Sequence, residues 1–501
     1  MCTASKSLGD RFVCLGTLTS LLSHTRFRFT LRSVERPSDY HSLLLFRLSV
    51  LTSTDGLDAS LSASGAVDHA VNKEDREDDQ LYVMESTCPH LGAELSHADI
   101  EECGADSVVA VCPWHRYDFD LKTGKSETGL RACTYAVHIR SSLPKDGSSE
   151  KHIWVEVPGP GQWEVVELRP VSEDFADPPN PKSQDRENVG LPQLKNLSLP
   201  DAEFTEPTTL LGWSVVILNT ASPELKVERT RQAIRSFRTG KLKSIGRSLS
   251  DPPVPPEVPP REPDLMVVAP GKVLKRGKAG SLKNRIAILH ALANIEQWAL
   301  DLAWDIIARF GNIKINGRPL PQQFFSDWTK VAEDEAKHFG LLRRRLEELG
   351  SFYGAHSVHA GLWEAGRETA HSLSARLCII HLVHEARGLD VNPATVAKFR
   401  AAGDLDSVKI LEIIHHDEIT HVTAGHRWLS WVCEAEGVDP VATFREQVRL
   451  HFNGAIKGPF NESDRRKAGM TPEFYTDLHG EGGGGQQQQY KQRSILVMSA
   501  M

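Results

Sequence analysis

The chain has 501 residues, of which 40% are hydrophobic and 25% charged, so it is long enough for two or three globular domains. Its formal net charge of -8 disfavours nucleic acid as a partner through bulk electrostatics. Apolar runs such as HSLLLFRLSVL and LLGWSVVIL are interrupted or too short for the roughly eighteen residues of a membrane span, so we expect no membrane partner. The eight scattered cysteines and the lack of a secretory pattern predict an intracellular, cytoplasmic protein.

The first residues differ in composition from the rest. Residues 1–34 carry one lysine and four arginines against a single acid, Asp10, together with many Ser and Thr. Such a composition is typical of mitochondrial transit segments. We therefore predict that residues 1–35 are either disordered or a transit segment, which leaves a mitochondrial location as the alternative to the cytoplasm.

Short segments of β type follow and predict an all-β domain over residues 36–170. The segments are LYVME, SVVAVC, YDFDL, TYAVHI and HIWVEV, and they are separated by turn residues such as KTGK at 122–125. The opening strands of this domain should lie between residues 36 and 80, although that stretch shows no clear alternation. Residues 171–204 are dense in Pro, Asn, Asp and Ser, which is typical of a linker.

Two pairs of metal-ligand residues stand inside the β region, Cys88 with His90 and Cys112 with His115. Two loops that each offer one thiolate and one imidazole match a Rieske [2Fe-2S] centre, in which two histidines replace two cysteines on one iron. Cys88 and Cys112 would then hold one iron and the two histidines the other. A zinc site is the alternative, but it usually keeps its cysteines together and its histidines together.

The stretches CPHLGAELSHADIE and CPWHRYDFDLKTGKSETG closely resemble Rieske ferredoxin-type domains. Respiratory Rieske proteins have two further cysteines at positions that are held here by Ala93 and Trp114. The resemblance is therefore to the ferredoxin and ring-hydroxylating oxygenase type. It implies a reduction potential near the low end of the family range of about -150 to +300 mV.

Helical spacing dominates from residue 205 to residue 478. Two helical segments lie within 205–246, and the proline-rich stretch DPPVPPEVPPREP should form an extended arm around the helices that follow. Four long helices are then predicted by capping residues and breakers, and the glycine- and glutamine-rich tail of residues 479–501 is assigned no structure. The predicted bounds are 281–311, 322–350, 362–388 and 404–437.

Carboxylates and imidazoles interrupt the apolar stripes of these four helices. Two helices carry the near-copies DEAKH and DEITH, each of which places a Glu and a His three residues apart on one face. The other two helices carry one glutamate each. Such groups are costly in a core unless they are paired or bind a metal. The predicted ligands are Glu296, Glu335, His338, Glu385, Glu418 and His421.

Ferritin-like bundles bind two iron or two manganese ions with such a ligand set. It consists of one Glu from each of two helices and a Glu-x-x-His motif from each of two more. We predict two iron ions, with manganese as the alternative. Asp334 and Asp417, which precede the two motif glutamates, are placed to accept the free ring N–H of a ligating histidine. Buried salt bridges are the alternative. Other histidines near the stripes are expected to be satisfied core or surface residues: His290, His381, His384, His415 and His416.

The stretches LHALANIEQWALDLAWD, DWTKVAEDEAKHF, HEARGLDVNPA and DEITHVTAGHRW resemble a ferritin-like family of unknown function. That resemblance implies a ferritin-like four-helix bundle and iron ligands, but no substrate. A more distant likeness is to the ferritin-like tRNA-modifying hydroxylase. The expected fold class is thus multidomain, an all-β Rieske domain followed by an all-α ferritin-like four-helix bundle.

The two predicted centres suggest an oxidoreductase. In our first hypothesis a Rieske cluster passes electrons to a di-iron site that activates dioxygen and hydroxylates or otherwise oxidises a small molecule. The partners would be an electron-donating reductase or ferredoxin, an unknown substrate and, in a homodimer, a second copy of the chain. A ferroxidase or peroxide-scavenging protein is the second hypothesis, and a non-enzymatic, metal-stabilised binding scaffold is the third.

Overall fold

The computed structural model describes residues 11–22, 24–49, 79–103, 107–142, 150–171, 205–247, 252–269, 272 and 279–481. The chain divides into two compact units. Among the described residues, the first unit is all-β and the second is a helical bundle with a few short strands, which confirms the predicted fold class. No helix in the described part of the chain is long and apolar enough to cross a membrane.

The β unit contains three antiparallel sheets. A five-stranded sheet has the order β11-β2-β3-β4-β8, a three-stranded sheet has the order β1-β10-β9, and a smaller sheet has the order β5-β6-β7. The strands are β1 Phe12–Thr17, β2 Arg26–Ser33, β3 Tyr40–Ser49, β4 Asp79–Glu85, β5 Asp99–Glu102, β6 Val108–Val111, β7 Asp118–Asp120, β8 Thr134–Tyr135, β9 Val137–Ser142, β10 Glu150–Glu156 and β11 Trp163–Pro170.

The β unit begins earlier than predicted, because β1 and β2 lie within residues 1–35. Along β2, Phe27, Phe29 and Leu31 enter the core and alternate with polar residues that include the arginines. Arg32 lies on the other face and binds Glu164 of β11 at 2.7 Å. Arg26, Arg28 and Arg32 therefore lie on one face of a paired strand, and the prediction of disorder is wrong for 11–22 and 24–35. Residues 1–10 lie outside the described residues.

β3 explains why residues 36–80 show no alternation. It is paired with β2 on one side and β4 on the other, and Leu43, Leu44, Leu45 and Phe46 are all buried. A strand with both faces covered is a continuous apolar run rather than an alternating one. The predicted linker, apart from its first residue, lies outside the described residues.

The helical unit is built around three long helices and one interrupted helix. α3 starts after Ser281, whose hydroxyl accepts the N–H of Asn284, and α8 starts after Asp404 and ends at Gly437 in the left-handed conformation. Both helices have the predicted bounds. The helices are α1 Leu210–Leu218, α2 Pro223–Arg238, α3 Leu282–Phe310, α4 Gln322–Glu348, α5 Gly361–Glu368, α6 Leu373–Arg376, α7 Glu385–Ala401, α8 Leu405–Glu436, α9 Pro440–His451, α10 Glu462–Lys467 and α11 Pro472–Tyr475.

The predicted third helix, 362–388, is wrong as a single α-helix. It is broken between α5 and α6, and residues 377–384 then form a π-helical segment that runs directly into α7. The tail also begins later than predicted. Its first residues, His479–Glu481, form strand β15, which pairs with β14, Asn453–Ala455. Two further short strands, β12 Lys314–Ile315 and β13 Arg318–Pro319, lie between α3 and α4.

The proline-rich arm is extended and lies on the bundle, as predicted. The indole N–H of Trp363 in α5 donates to the carbonyl of Glu257, and the Arg261 guanidinium binds Asp301 of α3 at 2.6 Å. The same guanidinium lies 3.5 Å from the centre of the Trp298 ring. These contacts fix the arm to the outer side of α3 and leave the inner side to the residues between the helices.

Candidate metal centres

Two loops of the β unit carry the four predicted cluster ligands. The thiol-bearing residues Cys88 and Cys112 are buried, with 2% and 1% of their surface exposed, whereas His90 is half-buried and His115 is exposed. The two imidazole rings are 4.9 Å apart between centroids and nearly perpendicular. Two inward thiols and two outward imidazoles fit a [2Fe-2S] cluster whose cysteine-held iron is internal and whose histidine-held iron is near the surface.

The second loop is closed by its own backbone. The N–H of Cys112 donates to the carbonyl of Tyr117, and the N–H of Arg116 donates to the carbonyl of Cys112. Arg116 has a positive φ of 60°, and its guanidinium binds Asp99 and Glu101 of β5. The turn that presents His115 is thereby fixed to the neighbouring strand. Cys103 and Cys133 are exposed and are not part of these loops.

The helical unit brings together all six predicted metal-binding residues. Their ligand atoms form two groups, and within each group the atoms lie within 4.8 Å of one another. All six residues are buried except Glu385, which is half-buried. One group is Glu296, Glu335, His338 and Glu418, and the other is Glu335, Glu385, Glu418 and His421.

Glu335 and Glu418 belong to both groups, so each can offer one carboxylate oxygen to either side. They lie on α4 and α8, the two helices that carry the Glu-x-x-His motifs. Glu296 of α3 belongs to one group alone and Glu385, the first residue of α7, to the other. The cluster thus has the donors for two adjacent ions with two shared carboxylates.

Each histidine turns the same ring nitrogen toward the carboxylates. His338 Nδ1 lies 3.4 Å from Glu296 Oε2 and 3.4 Å from Glu335 Oε2. His421 Nδ1 lies 3.1 Å from Glu335 Oε1 and 3.7 Å from Glu418 Oε2. Nδ1 is therefore the nitrogen available to a metal in both residues, and Nε2 is left for another partner.

The partner of Nε2 is an aspartate on the opposite helix. His338 Nε2 lies 2.9 Å from Asp417 Oδ2 of α8, and His421 Nε2 lies 3.3 Å from Asp334 Oδ2 of α4. A carboxylate at Nε2 holds the proton there and leaves Nδ1 as a lone-pair donor. The sequence predicts this role for both aspartates, but only the structure shows that each serves the histidine of the other helix.

Lys337 connects the two aspartates, and sequence reasoning does not identify it. Its ammonium lies 3.0 Å from Asp334 Oδ1 and 2.6 Å from Asp417 Oδ2, and its side chain is 42% exposed. One cation between two carboxylates reduces their mutual repulsion, although its exposure to solvent limits that contribution. Lys337 is three residues after Asp334 on the same helix, and this spacing is the sequence signal that could have predicted its contact with Asp334 but not the one with Asp417.

The electrostatics of the metal-free cluster are strongly perturbed. Burial, together with the charge of Glu335, raises the pKa of Glu296, and burial with the charge of Glu418 raises the pKa of Glu385. For Glu335 burial favours the neutral form, but the charge of His421 and the proximity of His338 outweigh it and lower the pKa.

The pKa values of both motif histidines are raised. Burial alone would lower the pKa of His338, but its contacts with Asp417, Glu296 and Glu335 hold that pKa well above its ordinary value. For His421 the charge of Glu335 and the contact with Asp334 have the same effect. Without metal, the pKa values of both histidines and of the two outer glutamates are therefore raised.

Several potential metal-ligand atoms of the cluster are buried without a hydrogen-bond partner among the described residues. They are both oxygens of Glu335, Glu418 Oε2, and the Nδ1 atoms of His338 and His421. Buried polar atoms are nearly always paired, so such a concentration calls for an external partner. Carboxylate oxygens and imidazole nitrogens suit divalent iron, manganese or zinc. The residues present therefore fit a pair of metal ions.

Comparison with known families agrees with the two units. A model described as "Protein of unknown function (DUF455)" matches residues 219–476, about half of the chain. The chain belongs to the DUF455 family. A second model, the Rieske [2Fe-2S] domain, matches residues 59–135, which include all four predicted cluster ligands. This DUF455 protein thus carries a Rieske domain, and the [2Fe-2S] assignment agrees with the two loops.

An uncharacterized protein of Haemophilus influenzae is 37% identical over 206 residues, which cover 41% of this chain and 71% of that protein. A crystal structure from Mycobacterium tuberculosis, described as the small subunit of an NADH-dependent nitrite reductase, covers 30% of this chain and 97% of its own. It is 12% identical with a TM-score of 0.18, a value too low to bear on the fold.

The other histidines near the stripes divide into two kinds. His290 Nε2 accepts the backbone N–H of Gly354, as predicted for a satisfied residue. His415 is satisfied only in part, because its Nε2 lies 3.0 Å from Asp464 Oδ2 while its Nδ1 has no hydrogen-bond partner among the described residues. His381 differs, because neither of its ring nitrogens has a hydrogen-bond partner in the described part of the chain. The expectation of a satisfied core residue is wrong for His381.

Proposed function

We propose that this DUF455 protein is an oxidoreductase in which the Rieske cluster supplies electrons to a di-iron site in a ferritin-like bundle. The metal-binding residues would be Glu296, Glu335, His338, Glu385, Glu418 and His421. The observation that carries the proposal is the pair of overlapping donor groups with two shared carboxylates, on the same chain as a one-electron carrier.

Charge balance supports two divalent ions. Four carboxylates and two neutral imidazoles compensate two divalent cations, which leaves the buried centre close to neutral. Iron is favoured over zinc because this mixed set of carboxylate and imidazole donors suits it and because a redox centre lies on the same chain.

A pair of iron ions held by these residues would supply dioxygen binding and reduction. The residues of the chain would set the conditions for that chemistry. Glu335 and Glu418 would contribute to the binding of both ions, while the aspartates at Nε2 would keep each imidazole in the ligating tautomer. Apolar residues one turn away, including Leu342 and Ile414, are buried and limit the entry of water.

Reductant-dependent oxygen consumption, combined with product analysis, tests the proposal. Wild-type protein should consume oxygen when its Rieske cluster is kept reduced, and Glu418→Ala should not. Glu436→Gln, at an exposed position of the same helix, is the control. Undiminished consumption in Glu418→Ala would contradict a di-iron site of these residues.

The same assay separates the alternatives. An oxygenated organic product is the result expected of an oxygenase, whereas oxygen or peroxide consumption without one indicates a ferroxidase or a peroxide scavenger. Cys112→Ser should keep the bundle metals but lose consumption that depends on electrons from the cluster. If it consumed oxygen at the wild-type rate, the proposed electron route would be wrong.

A further inference from the structure

His381 is the least explained polar residue of the bundle. It lies in the π-helical segment, four residues before Glu385, with 2% of its surface exposed. Neither Nδ1 nor Nε2 has a hydrogen-bond partner among the described residues. Since buried polar groups are nearly always paired, we look for the partner of this ring outside the described residues. π-Helical turns also occur frequently at functional sites.

Trp328 of α4 is a second buried ring whose nitrogen has no hydrogen-bond partner among the described residues. Its ring centroid lies 4.1 Å from that of His381, at an angle of 50° between the planes. Trp328 is fully buried, and its indole Nε1 likewise has no hydrogen-bond partner in the described ranges. Two adjacent aromatic rings thus present three nitrogen atoms, at least two of them N–H donors, without a hydrogen-bond partner among the residues that the structure describes.

The position of Gly425 on α8 relates these rings to the metal centre. A Cβ atom at Gly425 would lie 2.7 Å from the carbonyl oxygen of His381 and 3.0 Å from its Cβ, so the glycine permits the close approach of the two segments. Gly425 is one helical turn after His421, and His381 is one turn before Glu385. His381 therefore lies about one turn beyond the second donor group, and the ring of Trp328, which is two turns before Glu335 on α4, lies against it.

The electrostatics indicate a neutral ring. Burial, followed by the positive charges of Arg376 and His421, lowers the pKa of His381 well below its ordinary value, and the charge of Glu335 offsets this only in part. A neutral imidazole offers one N–H donor and one acceptor. His381 can therefore donate a hydrogen bond to an anionic acceptor without a second charge being introduced into the core.

We propose that His381 and Trp328 form the ligand-binding side of the dimetal centre, where their ring N–H groups donate hydrogen bonds to a small anion bound to the metals. The proposal rests on the proposed function, since the anion needs the two metal ions as its anchor. It adds a recognition site for an exogenous ligand, of the size of azide, to the six metal-binding residues.

Azide titration of the iron-loaded, air-oxidised protein tests this inference. The probe is sodium azide, and the readout is the charge-transfer absorption of the azide complex, recorded beside a metal count for each variant. His381→Phe removes both ring nitrogens and keeps an aromatic side chain. It should raise the azide Kd about tenfold, which corresponds to about 1.4 kcal/mol, with the metal count unchanged.

His415→Phe makes the same chemical change at a histidine whose Nε2 already has a partner, Asp464, and should leave the azide Kd unchanged. Trp328→Phe removes the indole N–H and should also raise the Kd. That second variant decides the matter if His381→Phe does not load metal. Unchanged azide affinity in the loaded variants would overturn the inference and leave water as the partner of His381.

Failure of the proposed function would be visible at a different step. A wild-type protein that binds no iron in the bundle would contradict both proposals before any azide is added. A fully loaded protein whose azide affinity ignores His381 and Trp328 would contradict only the recognition site.

Discussion

Asp417 offers a direct test of how the protein positions its metal-binding histidines. The Asp417→Asn substitution keeps the shape of the side chain and removes its charge. The carboxylate is 5% exposed and lies 2.9 Å from His338 Nε2 and 2.6 Å from Lys337 Nζ. We expect the substitution to weaken metal binding, because it weakens the hydrogen bond that fixes the ligating tautomer.

The magnitude follows from these contacts. A hydrogen bond to a charged group contributes about 1.5–3 kcal/mol and a neutral one about 0.5–1.5, so the His338 contact loses about 1–1.5 kcal/mol. The Lys337 contact adds only a few tenths because the lysine is partly exposed. The sum, about 1–2 kcal/mol, predicts a loss of about five- to thirtyfold in metal affinity, which overlaps the range typical of such partners.

The assay is anaerobic competition for ferrous iron between the protein and a coloured chelator. Asp334→Asn should lose less than Asp417→Asn, since its contact with His421 is longer, at 3.3 Å. Asp406→Asn, in the exposed first turn of α8, is the control and should bind iron like the wild type. Wild-type affinity in Asp417→Asn, or an equal loss in Asp406→Asn, would refute the reasoning.

Further predictions concern the cluster, the stoichiometry and the pH dependence. Cys112→Ser should bleach the visible absorption of the Rieske cluster, whereas Cys103→Ser, at an exposed position, should not. Glu418→Ala removes a shared carboxylate and should lower the bundle content by about two metal ions, while Glu296→Ala, which serves one group, should lower it by about one. The chelated protein should become less stable to heat as the pH rises from about 5 to 8, while metal affinity rises over the same range.

The sign of the pH effect comes from the raised pKa values of both motif histidines and both outer glutamates. The folded, metal-free protein binds more protons than the unfolded chain, so its free energy of unfolding falls as the pH rises. The loss begins above about 4.3 for the glutamates and above about 6.5 for the histidines. Glu335, with a lowered pKa, acts in the opposite direction and only at acid pH.

These three predictions can each fail separately. Loss of colour in Cys103→Ser but not in Cys112→Ser would reverse the ligand assignment. Equal metal loss in Glu418→Ala and Glu296→Ala would contradict the idea that Glu418 serves both metal ions. A chelated protein whose melting temperature does not change with pH would contradict the raised pKa values of the cluster.

Features with a local physical cause were predictable from the sequence. The bounds of α3 and α8 follow from Ser281, Asp404 and Gly437, because a cap is made by residues within one turn. The six-residue donor set was also predictable as a group, since Glu-x-x-His places both side chains on one helical face. That the six side chains meet at one place depends on how the helices pack, which the sequence does not show.

Features set by tertiary contacts were not predictable. The arginines of β2 had the composition of a transit segment because their partners, such as Glu164, are distant in sequence. The crossed pairing of Asp417 with His338 joins two residues that are 79 positions apart in the chain. The π-helical segment has no local sequence signal, and its close approach to Gly425 depends on packing.

The most direct test of the central claim is metal counting with electron paramagnetic resonance on the aerobically purified, dithionite-reduced protein. The account predicts about four iron atoms per chain, two in the Rieske cluster and two in the bundle, with about two remaining in Cys112→Ser. It predicts a Rieske signal that Cys112→Ser removes and Glu418→Ala retains. Zinc in the bundle, or an iron content that Cys112→Ser abolishes and Glu418→Ala leaves unchanged, would contradict it.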